Sequence, residues 1–426
     1  MADFFFEFWA TLFGAQEQAT WSDSDSDGDS DSSLKAYEVA PQRLQELHIP
    51  IRTRRAKLGS LDKDQKTFTE IIEDDDNEPE EDYRKGGYHP MQNGEDLQQQ
   101  RYTIIRKLGW GVYSTVWLAK ENLTELLVAI KVQKSALEYG RAAQNEIALL
   151  RDITARVDSD GGLSKQRIVE FHESFNLIGP NGSHTCMVFE FLGHSLLGLL
   201  QTQERCSLST ATYITCQILD GLNFLHSQCG VMHTDIKPEN ILFVPGSSRA
   251  WPAVKIVDLG NACVVENQVA QQIQTREYRS LEAIIGSWPY TTAVDVWSVA
   301  AMLHELITGD ILFETANHSE GKKKDERHIA QIVQYTGPIK PAVLRSGRWS
   351  KSLTASPLLK RAEMSFEIQS LSNRMASFIE MEDGRKFAKV IRRGLNHVPQ
   401  SRPTAKEMRK MLLDICPSCP RGHPRT

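Results

Sequence analysis

His233-Thr234-Asp235-Ile236-Lys237-Pro238-Glu239-Asn240 sets a carboxylate, a cation and an amide at fixed offsets in one short segment. Phosphoryl transfer needs a base or orienting group for an attacking hydroxyl, positive charge beside the moving phosphoryl, and oxygen ligands for Mg²⁺. Asp235, Lys237 and Asn240 answer those needs in that order. A bare D-x-K-x-x-N arises often by chance, so its weight depends on what stands at a distance from it.

Upstream, Arg101 to Leu108 alternates apolar and polar residues as a strand does, and Val112 to Lys120 makes a second strand, with Gly109 and Gly111 in the turn between them. A hairpin with glycines at its tip can lay backbone N–H groups close over phosphates. Val128-Ala129-Ile130-Lys131-Val132 is a third, buried strand, and residues 138 to 151 predict a helix with Ile147, Leu149 and Leu150 inward and Glu146 on the same element as that stripe. Ile168 to Phe175 and Thr185 to Phe191 complete a small antiparallel sheet. Helices dominate from there. Thr210 to Ser227 is amphipathic and leads into His233, whereas Ala293 to Thr308 is apolar on most sides, is closed by Gly309, and belongs inside the larger half of the molecule.

With 426 residues, 40% hydrophobic and 24% charged, the chain can bury a sizeable core. Its net charge of -6 is concentrated near the start, where Trp21 to Ser33 alternates serine with aspartate and Glu70 to Asp82 holds nine acidic residues and no base. Such segments repel themselves and cannot bury apolar surface. Residues 1–85 are therefore expected to form an acidic, Ser/Asp-rich region, mostly disordered. Ser22, Ser24 and Ser26 read either as sites for an acid-directed kinase or as part of a solvating tail. Phe4 to Phe13 is too short and too acidic for a signal peptide and reads as a docking peptide, while Arg52 to Lys57 has the composition of a nuclear import signal. Seven cysteines, an odd number without a disulfide framework, point to reduced thiols. Cys416 and Cys419 form a single C-x-x-C in an expected mobile tail, 416–426. No stretch reaches the length of a membrane helix.

Taken in order, these motifs resemble a eukaryotic protein kinase over residues 102–415. The resemblance implies an α+β, bilobal fold, with a β-rich N-lobe at 102–191 carrying one helix and a mainly helical C-lobe at 194–415. It makes Leu108-Gly109-Trp110-Gly111-Val112-Tyr113-Ser114-Thr115-Val116 the loop over the ATP phosphates, with Ser114 where a third glycine is usual. Lys131 is then the lysine on the α/β-phosphates, paired with Glu146. Asp258-Leu259-Gly260 resembles the D-F-G triplet, so Asp258 and Asn240 become the Mg²⁺ ligands, oxygen donors of the kind this ion prefers. Asp235 becomes the general base, Lys237 marks a serine/threonine enzyme, and Glu190 and Leu192 bind adenine behind Phe189. Ser280-Leu281-Glu282 stands for A-P-E, with Glu282 pairing to Arg402, and Asp295 holds the catalytic loop.

Within that superfamily the chain resembles the SR-protein kinases of the CMGC group. Arg84-Lys85-Gly86-Gly87-Tyr88-His89-Pro90, Arg106 to Gly111, Ser114 to Trp117, His233 to Leu242, Asp258 to Cys263 and Gln274 to Glu282 carry the likeness. It implies an enzyme using ATP and Mg²⁺ on arginine/serine-rich splicing factors, monomeric, binding neither nucleic acid nor membrane, and found in cytoplasm and nucleus. Relative to protein kinases in general, Thr234 replaces the arginine that clamps an activation-loop phosphate, which implies activity without that phosphorylation. Two differences separate the chain from the SR-protein kinases. The spacer between catalytic loop and Asp258 is short, Phe243 to Lys255. Lys322-Lys323-Lys324 occupies a region that is acidic in the family. A CMGC-type kinase acting on other basic substrates, and a catalytically silent scaffold, remain the alternatives.

Overall fold

Alternation from Tyr102 onward gives a sheet one apolar face, and the chain covers that face with its own upstream residues. The computed structural model describes residues 78–159, 167–203, 205–248, 251–268, 270, 272–314, 322–349, 370–417 and 419. All of them lie in a single compact unit, Ile51–Thr426. The sheet runs β1-β2-β3-β4-β6-β5, antiparallel throughout, from β1 (Asp96–Leu97), β2 (Tyr102–Gly111), β3 (Ser114–Glu121), β4 (Leu127–Gln133), β5 (Phe171–Gly179) and β6 (Gly182–Glu190). Tyr102, Ile104, Trp117, Val128, Ile130, Val132 and Val188 bury one face together with Met91 and Leu97. Lys131, between them in sequence, therefore points to the other face, since side chains alternate along a strand.

That second face carries α1 (Leu137–Ser159), which outruns the expected 138–151 because the buried stripe of Ile147 and Leu150 continues through Ile153 and Val157. The same stripe joins the core of the lower lobe, which runs on through Phe171, Met187, Leu222, Trp297, Leu306 and Leu412. The lobes thus share one apolar interior behind the cleft.

The lower lobe contains α2 (Leu196–Gln203), α3 (Leu208–Phe224), α4 (Leu281–Ile285), α5 (Ala293–Thr308), α6 (Lys322–Thr336), α7 (Pro341–Arg345), α8 (Leu371–Ala376), α9 (Met381–Gly394) and α10 (Ala405–Ile415). Ser207 caps α3, accepting from the Thr210 amide at 3.1 Å, and a π-turn at Leu225–Cys229 ends on Gly230 at φ +65°. Thr404 and Glu407 cap α10 reciprocally. Every residue of α5 from Val294 to Thr308 is buried, and Gly309 closes it at φ +79°.

Several expectations need correction. Ile168 is not in β5 but makes an isolated parallel bridge to Ile256. Ordered chain begins no later than Glu78, inside the 1–85 region, and residues 78 to 97 pack on the sheet and extend it by β1. The 416–426 tail is not free at its start: Cys416 and Cys419 are buried against Tyr213 and Trp251. All seven cysteines are free thiols. Phe4 to Phe13, Ser22, Ser24, Ser26 and Arg52 to Lys57 lie outside the described residues. No helix among the described residues is long and apolar enough to cross a membrane.

Candidate active site

Two short ribbons bring the central segment and Asp258 side by side. β7 (Val231–Met232) pairs with β10 (Cys263–Val264), and β8 (Ile241–Phe243) pairs with β9 (Val254–Ile256), so the loop from His233 to Asn240 and the turn at Asp258 hang from neighbouring strands. The loop is held from below by Asp295 on α5. Its carboxylate accepts from the His233 amide and the Thr234 amide at 2.8 Å each and from His226 Nε2 at 2.8 Å. Burial would raise the Asp295 pKa, but the hydrogen bond and nearby charge of His226, with His233, lower it, so it stays a carboxylate. Buried charge of this kind is tolerable only because it is hydrogen-bonded on both oxygens.

Above that anchor, Thr234 takes φ +64°, a left-handed conformation costly for a β-branched residue, and its hydroxyl donates to the Asn261 carbonyl at 2.7 Å. Asp235 accepts at Oδ1 from the Thr275 hydroxyl at 2.6 Å and the Thr275 amide at 3.1 Å. Its Oδ2 faces Lys237 Nζ at 2.8 Å and Asn240 Nδ2 at 3.3 Å. Lys237 also donates to the Thr275 hydroxyl at 3.0 Å, so base, cation and activation segment form one network. Burial would lower the Lys237 pKa, yet Asp235 outweighs it and the ammonium is retained.

Across the cleft Lys131 donates to Glu146 at 2.8 and 3.0 Å and to Asp258 Oδ1 at 3.0 Å. β4, α1 and the turn after β9 therefore converge on a single ammonium. The Lys131 charge holds the Asp258 carboxyl at a pKa of about 2 against the desolvation of the cleft, while burial, which would lower the Lys131 pKa, is overcome by Asp258 and Glu146. The Asp258 side chain keeps 42% of its surface exposed, against 5% for Glu146. Only one of the two carboxylates is thus open to a bound cation. Asn240 uses its Nδ2 on the Asp235 carbonyl at 2.9 Å, which turns its amide oxygen the other way. Asn240 and Asp258 are accordingly two hard oxygen donors of the type Mg²⁺ takes. Among the described residues no group of three or more potential ligands could hold a metal unaided. Such an ion needs oxygens from a nucleotide or water as well.

Leu108, Gly109, Trp110 and Gly111 end β2, Val112 and Tyr113 make the turn, and Ser114, Thr115 and Val116 begin β3. A Cβ added to Gly109 or Gly111 would meet nothing within 4 Å, so the space beside the hairpin is open to a ligand. At the back, Glu190 commits its amide to the Glu170 carbonyl and its carboxylate to Lys255 Nζ at 2.5 Å and the Glu170 amide at 2.7 Å. Leu192 is buried beside it, and Phe189 packs edge-on to Phe171. Farther off, Arg402 grips Glu282 with two bonds of 2.6 Å and covers the Trp297 ring at 4.8 Å. That bidentate pair ties the start of α4 to the base of the lobe.

A lysine–carboxylate chain over a buried, pre-set aspartate loop defines a phosphotransferase of the bilobal kind. Residues 102–412 match the protein kinase domain family, and the chain belongs to it. Its relatives place it more finely, among the SR-protein kinases. It is 37% identical to the serine/threonine-protein kinase SRPK of Physarum polycephalum, over 65% of this chain and 76% of that one. It is 29% identical to protein kinase dsk1 of Schizosaccharomyces pombe, over 64% of this chain and 72% of the relative. Human SRSF protein kinase 3 is 28% identical, over 66% and 79% respectively. The chain is a serine/threonine protein kinase, acting on protein substrates in a family that uses ATP and typically Mg²⁺.

Sequence reasoning did not single out Thr275, which orients the Asp235 carboxylate, nor His226, which completes the Asp295 anchor. Thr275 stood in a stretch noted only for resemblance, and a lone threonine beside a glutamine gives no periodic or charge signal. Gln274 was hidden for the same reason. Buried at φ +69°, it bonds Val294, Ser298 and Ser280 at 2.8 to 3.0 Å and so fastens the end of the activation segment to α5.

Proposed function

We propose that the enzyme transfers the γ-phosphoryl of ATP, with Mg²⁺, to serines in arginine/serine-rich proteins, and does so without phosphorylation of its own activation segment. The observation carrying the second clause is the Thr234 hydroxyl on the Asn261 carbonyl at 2.7 Å. Where protein kinases in general have an arginine awaiting a phosphate, a short neutral bond joins catalytic loop to activation segment. Gln274 and the pairing of Arg276 with Asp325 at 2.6 Å hold the rest of that segment, again with no phosphate required.

In this reading Lys131 and the Gly109–Val116 hairpin bind the phosphates, Glu190 and Leu192 border the adenine, and Asn240 and Asp258 would hold the metal. Bound Mg²⁺ supplies charge neutralisation of the transferring group. Asp235, oriented by Thr275, accepts the proton of the serine hydroxyl, and Lys237 balances charge beside it. Glu282, Asp295 and Arg402 keep the loop where these contacts occur. The names of the relatives, SRSF protein kinase 3 among them, support the substrate class. We place the enzyme as a monomer in cytoplasm and nucleus, with Arg52 to Lys57 as the import determinant.

One observation favours a second reading. Asp325 is engaged by Arg276, and the residues just ahead of it are Lys322, Lys323 and Lys324, so this end of α6 offers little negative charge to an arginine-rich chain. Basic substrates with fewer arginines would then be preferred. A panel of arginine-serine, lysine-rich and serine-proline peptides, assayed with Mg²⁺ and labelled ATP, separates the cases. Highest kcat/KM on the arginine-serine peptide is the expected result; preference for another peptide favours the second reading, and no transfer to any of them would leave a silent scaffold.

A further inference from the structure

The stretch ahead of the kinase domain does more than lengthen the sheet. Gly86 and Gly87 permit a tight reversal: Gly86 sits at φ +85°, and a Cβ on Gly87 would lie 1.8 Å from the Asp82 carbonyl oxygen. Gly86 and Gly87 carbonyls accept from the Ala136 and Ser135 amides at 3.0 and 3.1 Å, which pins the reversal between β4 and α1. The reversal delivers Tyr88, 1% exposed, under the phosphate-side hairpin. Its hydroxyl donates to the Gly111 carbonyl at 2.7 Å. Asn181 Nδ2 holds the Tyr88 carbonyl at 2.6 Å, and Lys134 Nζ lies 4.2 Å from the ring centre while pairing with Asp82 at 2.8 Å. Burial, with Asp82 and Glu78 nearby, raises the phenol pKa, so Tyr88 remains a donor.

A trans peptide is planar, with its C=O and N–H on opposite sides. Holding the Gly111 oxygen therefore fixes the direction of the Val112 N–H, which points away from the brace. Two residues on, the Tyr113 carbonyl is held by the Lys134 amide at 2.8 Å, and the Tyr113 ring leans on Tyr139 at 5.6 Å. We propose that Tyr88 is a positioning residue for nucleotide binding: by anchoring Gly111 it orients the hairpin amides for a phosphate oxygen. The segment from Glu78 to Met91 is then a built-in brace for the nucleotide lid, coupling the residues before the kinase domain to ATP affinity. This rests on the reading of the cleft as a nucleotide site.

Removing only the hydroxyl, Tyr88→Phe, tests it. The expected effect is a rise of about threefold to tenfold in KM for ATP and a matching loss of fluorescent ADP affinity, the worth of one neutral hydrogen bond. The KM for peptide and kcat should stay within about twofold. Tyr83→Phe is the control, because Tyr83 belongs to the same brace but bonds Glu78 rather than the hairpin. It keeps the Tyr88–Gly111 bond, so ATP KM and ADP affinity should stay at wild-type values. The proposal is overturned if Tyr88→Phe leaves ATP KM and ADP affinity at wild-type values, or if both variants raise them equally with a common fall in melting temperature. Wild-type protein that binds no nucleotide would instead defeat the reading of the cleft itself.

Discussion

The two loops facing each other across the cleft are secured in opposite ways. The segment from His233 to Asn240 rests on a buried carboxylate that satisfies two backbone amides and an imidazole, and its side chains are bonded to one another. The hairpin from Gly109 to Val116 stands half in solvent and is tied through the Gly111 carbonyl to a brace outside the domain and through the Tyr113 carbonyl to Lys134. Reaction chemistry requires fixed geometry at the acceptor, whereas a nucleotide has to enter and leave. Rigidity is therefore built into the lower loop by burial and into the upper one by removable contacts.

The sharpest way to break this contrast is at Asp235. Replacing it with Ala should lower kcat by at least about 10²- to 10⁴-fold, the range for losing a general base, with nucleotide affinity and melting temperature retained. Loss of nucleotide binding together with kcat would show that the two loops are not separable. Next in size is Asp295→Ala, which strands two buried amides and His226. We expect destabilisation of about 3–5 kcal/mol by denaturant titration, and a kcat loss exceeding any change in ATP KM.

The lower lobe also conceals several neutral histidines. Burial pushes His304 to about 3 and His397 to about 4, helped by Arg374 and Arg402 respectively, and pushes His328 well below its ordinary value. A histidine whose folded pKa is depressed is neutral in both states above about 6.5, where it costs nothing. Below that value the unfolded chain binds the proton first, so stability falls as pH drops from about 6.5 towards 4, by up to about 1.4 kcal/mol per pH unit for each group. Hydrogen-exchange protection factors, corrected for the intrinsic rate at each pH, should fall most in α5 and α6 between pH 7 and pH 5. The smallest expected effect is at Thr234→Ser, which keeps the hydroxyl and removes the branch at a left-handed residue. Activity should be unchanged, while Thr234→Ala should cost about 1 kcal/mol and loosen the activation segment.

What the sequence made legible follows from the same division. α5 could be read to its last residue because an all-round apolar helix followed by glycine has one physical outcome, and Lys131, Glu146, Asp235, Asn240 and Asp258 carry charge or amide groups that declare themselves by spacing. They meet in one cleft. β1 was invisible: Asp96 and Leu97 are a strand only because β2 lies beside them. The brace was masked by the acidic run that precedes it, which suggests solvent, whereas Tyr88 and two glycines supply its contacts. Cys416 and Cys419 looked like a loose end because their burial comes from Tyr213, some two hundred positions earlier in the chain. Thr275 and Gln274 act through single hydrogen bonds to distant residues, a signal that exists only in three dimensions.

The lower loop is ready for catalysis without modification. Protein stripped of all phosphate and mixed with labelled ATP, Mg²⁺ and an arginine-serine peptide should transfer phosphate in the first turnover, with no lag. Chelating the metal, or replacing Asp235 with Ala, should abolish that transfer. A lag that disappears only after phosphate is added between Asp258 and Glu282 would contradict it.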